Sequence, residues 1–186
     1  HYYVVEFLAK KFNITIDFDI TEIEAMFENK IEDSEDEKII TIANNNANFQ
    51  KSTFIYNLEK LEIANYLITD VNSNIVNECK SGNTYYMFPE HTITYPRMGG
   101  QEPDKGVIKV NEEIVFNIKD IEKCEEYIKI TLECVKNTTA KQKITMEIDV
   151  RRRKLLSMNH SATHILLNVI SKIIAEKCIQ VSSIIE

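Results

Sequence analysis

The sequence predicts an α+β fold: short helices, then a small antiparallel β-barrel-like unit, then a longer helix. Three observations carry this prediction. Apolar residues recur at helical spacing near the N-terminus, switch to period two from about residue 49, and return to helical spacing after Asp149. The β-rich stretch holds many short runs of β-branched and aromatic residues at near-regular intervals, the pattern of a small barrel or folded sheet. The whole is 186 residues with 44 % apolar side chains, enough for one cored domain with an appendage.

The elements follow in chain order. Residues 2–13 read as an amphipathic helix carrying Val4, Val5, Leu8 and Phe12 on one face. A second helix is expected from Asp19 or Thr21, where Thr21-Glu22-Ile23-Glu24 resembles a capping box and Ile23, Met26 and Phe27 form the apolar stripe. The charged stretch 30–48 reads as helix end or linker, its acidic run a solvated face. Strands are expected at 54–56, 64–69, 84–88, 107–110, 113–118, 127–132 and 144–148. Asp149 is a good N-cap for a helix starting at Val150. In that helix Leu155, Met158, Ala162, Ile165, Leu166, Val169 and Ile173 repeat at three and four.

Charge and cysteine usage narrow the function classes. The net charge is −7. Residues 1–48 hold 11 acidic and 4 basic side chains, a net of −7, so the remaining residues balance to zero. There is no overall basic face of the kind a nucleic-acid binder shows, so overall charge does not argue for RNA and no DNA partner is expected; only a local patch could bind RNA, and the candidate is Arg151-Arg152-Arg153-Lys154. No apolar run approaches the ~20 residues of a membrane span, and no signal peptide is visible. Lacking an initiator Met, the chain is expected to be a processed or excised piece. Cys79, Cys124, Cys134 and Cys178 are scattered, which predicts reduced thiols and a cytoplasmic setting.

Two segments carry chemistry. The first is Tyr95-Pro96-Arg97-Met98-Gly99-Gly100-Gln101-Glu102-Pro103-Asp104-Lys105-Gly106, which concentrates three of the four glycines and two of the three prolines. A glycine-poor chain that gathers its glycines needs unusual backbone angles there, or a close approach by something else. An ordinary hairpin turn would satisfy this; so would a loop whose Gln101 amide contacts a substrate. The second is His160-Ser161-Ala162-Thr163-His164, with two histidines at i and i+4 on one helical face, within reach of one metal ion. At 100° per residue the stripe of Ala162, Leu166, Val169 and Ile173 lies opposite them, so they face solvent or a cleft together with Arg153 and Ser171. Two surface histidines are the alternative, since catalytic zinc usually takes three protein ligands.

Together these segments resemble the editing domain of the alanyl-tRNA synthetases and their free-standing relatives. That family carries a Gly-Gly-Gln-x-x-Asp-x-Gly loop, matched by Gly99, Gly100, Gln101, Asp104 and Gly106, and a His-Ser/Thr-Ala-Thr-His helix, matched by residues 160–164. Asp149-Val150-Arg151-Arg152-Arg153 also looks like the family's Asp-x-x-Arg-Arg. The resemblance covers about residues 50–186. It implies three parts: 1–48 as the helical end of a preceding tRNA-recognition domain plus linker, 49–148 as the β-barrel-like part of the editing domain, and 149–186 as the start of its zinc-binding core. It implies hydrolysis of seryl- or glycyl-tRNA(Ala) made in error, with the tRNA acceptor end as partner and ATP used only in a separate catalytic domain of the parent ligase. By the same resemblance Gln101 is catalytic, Gly99, Gly100, Asp104, Gly106 and Arg153 bind substrate, and His160 and His164 hold zinc.

The sequence departs from the family at two points. Arg97 stands where members usually carry an acidic residue. The family's later Cys-x-x-x-His zinc pair does not follow His164: Cys178 is followed by Ser182 and lies 14 residues on, ~21 Å along a continuous helix. The chain is therefore expected to be a truncated, inactive fragment that holds zinc weakly or not at all. A second reading is a non-catalytic tRNA-binding or structural module that keeps the fold. The editing domain of threonyl-tRNA synthetases, which shares the two-histidine helix but lacks the Gly-Gly-Gln loop, ranks third.

Overall fold

The structure, a computed structural model, describes residues 34–45, 50–72, 74–139 and 143–174. The helices expected at 2–13 and from Asp19 or Thr21, and Cys178, lie outside the described residues. Between them run a helix α1 (Ser34–Asn45), eleven strands and a long helix α2 (Val150–Ile174). The strands are β1 (Thr53–Phe54), β2 (Lys60–Ile63), β3 (Tyr66–Asp70), β4 (Glu78–Cys79), β5 (Thr84–Pro89), β6 (His91–Thr92), β7 (Gly106–Val110), β8 (Glu113–Cys124), β9 (Tyr127–Cys134), β10 (Thr138–Thr139) and β11 (Ile144–Ile148).

Seven strands form one antiparallel sheet in the order β2-β11-β7-β8-β9-β5-β3. A single apolar cluster takes Ile63 from one edge strand and Ile68 from the other, with Met87, Ile108, Phe116, Ile130 and Met146 between them. One core shared by both edges requires the sheet to curl round it. The sheet stays open, because β2 and β3 do not pair. Register shifts at Ile108/Lys109 and Ile118/Asp120 are bulges of the kind that bend strands. The α+β class and the antiparallel curl agree with expectation, as an open half-barrel.

Side chains alternate between two faces, as the pleat demands. Ile68 opposite Met87 points to the main core. Their neighbours Leu67 and Phe88, also paired, point outward with Tyr127 and are covered by Ile40, Ile42 and Ala43 of α1. Tyr127 Oη donates to Asn44 Oδ1 at 2.5 Å and fastens that helix. Within stretch 30–48, the described residues 34–45 are thus helix rather than linker. The acidic first half of the stretch masked a short apolar face that seals the outer side of the sheet.

The strand expectations need local correction. Ile55 and Tyr56 leave the β1 strand, and Asn57 turns the chain at φ 61°. The run 64–69 is a turn at Ala64–Asn65 before β3, and β2, β4, β6 and β10 went unforeseen. The unforeseen strands are two to four residues long, too short for period two to register. Strands β8 and β9 extend well past their expected ends.

Candidate functional site

Helix α2 starts as its sequence dictates. The Asp149 carboxylate accepts the Arg152 backbone N–H at 2.9 Å, an N-cap. From this start, Arg153, Leu156 and His160 fall on the face turned toward the sheet, and Leu156 is 2 % exposed. The apolar stripe that looked like the packing face is the exposed one. Leu155, Met158, Ile165, Leu166, Val169 and Ile173 all lie on the outer side of α2. The histidine face, expected toward solvent or a cleft, abuts the glycine loop.

That loop is built by two sets of contacts. At its tip, Gly99 (φ 62°) and Gly100 (φ 75°) are both left-handed, and the Gln101 N–H donates to the Met98 carbonyl at 3.1 Å. Two successive positive φ values make the turn that glycine alone adopts without strain. At its base, the Tyr95 N–H donates to Asp104 Oδ2 at 2.6 Å, and the Asp104 N–H returns to the Tyr95 carbonyl at 3.1 Å. Arg153 then clamps the base from α2. Its Nε donates to Asp104 Oδ1 at 3.2 Å, and its Nη2 meets both Asp104 Oδ2 and the Ile93 carbonyl.

The site residues proposed from sequence therefore fall into separate groups. Gln101, 7 % exposed, Arg153 and His160 line one open cavity of about 360 Å³. Gly99 belongs beside them, because a Cβ built there would lie 3.5 Å from His160 Cε1. Asp104 is 1 % exposed and has both carboxylate oxygens engaged by Tyr95 and Arg153. Gly106 sits in β7, where a Cβ would land on the Glu147 carbonyl oxygen and 3.0 Å from Ile148 Cα. Asp104 and Gly106 thus hold the loop in place, and the structure gives neither a face toward the cavity. Arg97, the departure from the family pattern, turns away from the cavity to pair with Glu102 and Asp120.

The two histidines converge. His160 Nε2 and His164 Nε2 are 3.0 Å apart, with ring centroids at 4.8 Å. Two imidazole nitrogens on one tetrahedral zinc ion at ~2.1 Å each would stand about 3.4 Å apart, so a small rotation of either ring brings both onto one ion. His160 Nδ1 is buried and has no hydrogen-bond partner. Among the described residues no group of three or more His, Cys, Asp or Glu side chains gathers to hold a metal. The donor set thus fits half of a four-coordinate shell.

Sequence reasoning named Gln101, Arg153 and His160 as site residues but not the other lining residues, Tyr95, Ser157, Ser161, Phe54, Tyr56 and Asn57, the last three lying far from both motifs. Phe54, Tyr56 and Asn57 come from the end of β1 and the turn after it and line the same cavity as Gln101. No motif marks them. They reach the site because β1 pairs in parallel with β6, which leads into the glycine loop. Among the described residues, no helix is long and apolar enough to cross a membrane.

No protein-family profile matches the chain. Comparison with curated proteins gives clear relatives. The chain is 36 % identical over 101 residues to the alanine–tRNA ligase of Neorickettsia sennetsu, which is 52 % of this chain and 12 % of that protein. It is 32 % identical over 139 residues to the alanine–tRNA ligase of Streptococcus suis, which is 74 % of this chain and 16 % of the relative. It is 28 % identical over 116 residues to the cytoplasmic alanine–tRNA ligase of Bombyx mori, which is 61 % of this chain and 12 % of the relative. The chain thus spans no more than 16 % of the length of these three proteins.

Proposed function

Because this chain belongs to the alanine–tRNA ligase family, we propose that it carries part of an editing site, one that hydrolyses the ester of seryl- or glycyl-tRNA(Ala). Its partner is the acceptor end of that tRNA, and its setting is the cytoplasm. The observation that supports this most is the contact between the Gly99–Gly100–Gln101 turn and His160. A glycine turn admits a ligand backbone closely, and the cavity beside it is lined by both Gln101 and His160.

The reaction is acyl transfer to water. The water oxygen bonds to the ester carbonyl carbon, the bond from that carbon to the ribose oxygen breaks, and the departing ribose oxygen takes a proton from the water to become a hydroxyl. The Gln101 side-chain amide can donate to the carbonyl oxygen or accept from the water, fixing the angle of attack. Gly99 and Gly100 leave room for the terminal ribose. Arg153 holds the loop to α2 through Asp104, so that Gln101 and His160 keep their separation. His160 and His164 would hold a zinc ion through their Nε2 atoms, and a bound zinc supplies Lewis-acid polarisation and a more acidic water.

The second reading, a tRNA-binding module without catalysis, draws on the absence of a third ligand among the described residues. Deacylation of seryl-tRNA(Ala) by the polypeptide of which this chain is proposed to be a segment separates the two. Gln101→Ala and His160→Ala should each slow ester release at least tenfold without loss of tRNA binding. Unchanged release in both variants sinks the editing reading.

A further inference from the structure

The cavity has a wall that ester hydrolysis does not use. Phe54 and Tyr56 stand edge to face, with ring centroids 4.7 Å apart and planes at 70°. Phe54 is half-buried, whereas Tyr56 is 76 % exposed although it borders a cavity. The Asn57 backbone that follows is left-handed at φ 61°, which lifts the Tyr56–Asn57 turn out of the sheet. The strand before it is tied down. The Thr53 N–H donates to the Glu90 carbonyl at 2.7 Å and the Ile55 N–H to the Thr92 carbonyl at 2.8 Å. An aromatic ring on an anchored turn, supported at its edge by a second ring and open on a face, is a stacking platform.

We propose that Tyr56, backed by Phe54, stacks on the base of the terminal nucleoside whose ester is cleaved, making this wall the nucleobase subsite. This rests on the editing reading of the Gln101 side. The geometry selects a single nucleoside over a length of strand. A cavity of about 360 Å³ lies at the small end of ligand sites, large enough for one nucleoside with its acyl group. Among the described residues, the cavity lining also offers no lysine and no other arginine to track a longer backbone, since Arg153 is committed to Asp104. Stacking is tolerant of base identity because every base has a π face. The subsite would therefore report the presence of a base, and acyl selection would fall to the Gln101 end.

Three non-hydrolysable probes test this by NMR titration of the 186-residue chain: 3′-deoxy-3′-(serylamino)adenosine, the same serylamide on an abasic ribose, and serinamide. The adenosine probe should bind at least fivefold more tightly than the abasic one, the factor expected for stacking of ~1 kcal/mol or more. Tyr56→Ala should remove that advantage, Tyr56→Phe should keep it, and neither should alter abasic binding. Tyr56 is exposed, so its truncation leaves the fold intact, as the spectrum will report. If the adenosine probe binds in a Gln101-dependent manner but Tyr56→Ala leaves the base advantage unchanged, the platform is wrong and the editing reading stands. If none of the three probes binds, both fall together.

Discussion

Arg153 on α2 and Asp104 at the base of the glycine loop form an ion pair in which the carboxylate is almost wholly buried and the guanidinium also reaches the Ile93 carbonyl. The pair makes the helix and the loop one mechanical unit. It follows that Gln101 and His160 owe their shared cavity in part to Asp104, a residue that does not line it.

Arg153→Leu leaves the Asp104 carboxylate buried with only the Tyr95 N–H. Removing one partner of a buried pair costs about 3–5 kcal/mol, and the partial exposure of Arg153 puts the expected loss near the lower end. Asp104→Asn keeps the shape and one acceptor, so it should cost less. Urea unfolding monitored by circular dichroism measures both, and equal stability of Arg153→Leu and the parent chain would remove the clamp from the account.

Gly99 in the loop and Gly106 in β7 should fail in different ways. Gly106→Ala drives a Cβ into the β11 backbone, which cannot yield without breaking the β7–β11 ladder, and a loss of about 2 kcal/mol or more is expected. Gly99→Ala meets only an ordinary contact with His160, so its cost is the left-handed φ alone, roughly 1 kcal/mol. Thermal melts of the two variants should rank them in that order.

How much of this was legible in the sequence depends on the length scale of the signal. Helix α2 and strands β5, β7, β8, β9 and β11 announce themselves through periodicity over five residues or more. The Asp149 cap also does, because its chemistry is local. The role of Asp104 was not readable, since its partners Tyr95 and Arg153 lie nine and 49 residues away. The Phe54–Tyr56 wall was read as plain strand, because only the β1–β6 pairing carries it to the site. Cys79 and Cys134 looked scattered, yet the fold places them in hydrogen-bonding contact.

That contact makes a reactivity prediction. Burial, the charge of a neighbouring Cys134 thiolate and the hydrogen bond to it push the Cys79 thiol up to about 12. Only a thiolate attacks an alkylating agent, so at pH 8 Cys79 stays protonated and protected. Mass mapping after brief iodoacetamide treatment should find Cys124, which is partly exposed, modified well before Cys79 and Cys134. Early labelling of Cys79 would contradict the buried contact.

The ladder between β7 and β11 should be acid-sensitive. Lys109 Nζ lies 2.5 Å from Glu147 Oε2, and this hydrogen bond leads the causes that lower the Glu147 carboxyl below its ordinary value. A carboxyl depressed in the folded state stabilises the fold above its ordinary pKa, and that contribution is lost as the pH falls through the depressed value. Stability should thus fall in the acid range below about pH 4.5, the ordinary value for this carboxyl. Lys109→Met should flatten that part of the profile by lowering stability at neutral pH, while the acid end, where the contribution is already gone, stays little changed. An identical acid limb in the variant would remove Glu147 as a source of the sensitivity.

The last prediction concerns metal. His160 and His164 present their Nε2 atoms to one point, and neutral imidazoles are good zinc ligands. Affinity grows with ligand number, and two imidazoles leave water to complete the shell. The 186-residue chain should therefore bind zinc weakly, release it to a mild chelator, and lose it altogether on His164→Ala. Titration with cobalt gives a second reading, because a site completed by water should show weak d–d absorption without a thiolate charge-transfer band. The same substitution should not destabilise the apo fold, since His164 is exposed. Stoichiometric, chelator-resistant zinc would mean that further ligands join the pair. His91 and Cys178 would be the first to test by substitution, His91 because it lies in β6 at the head of the segment leading to the loop, and Cys178 because the sequence places it beyond α2.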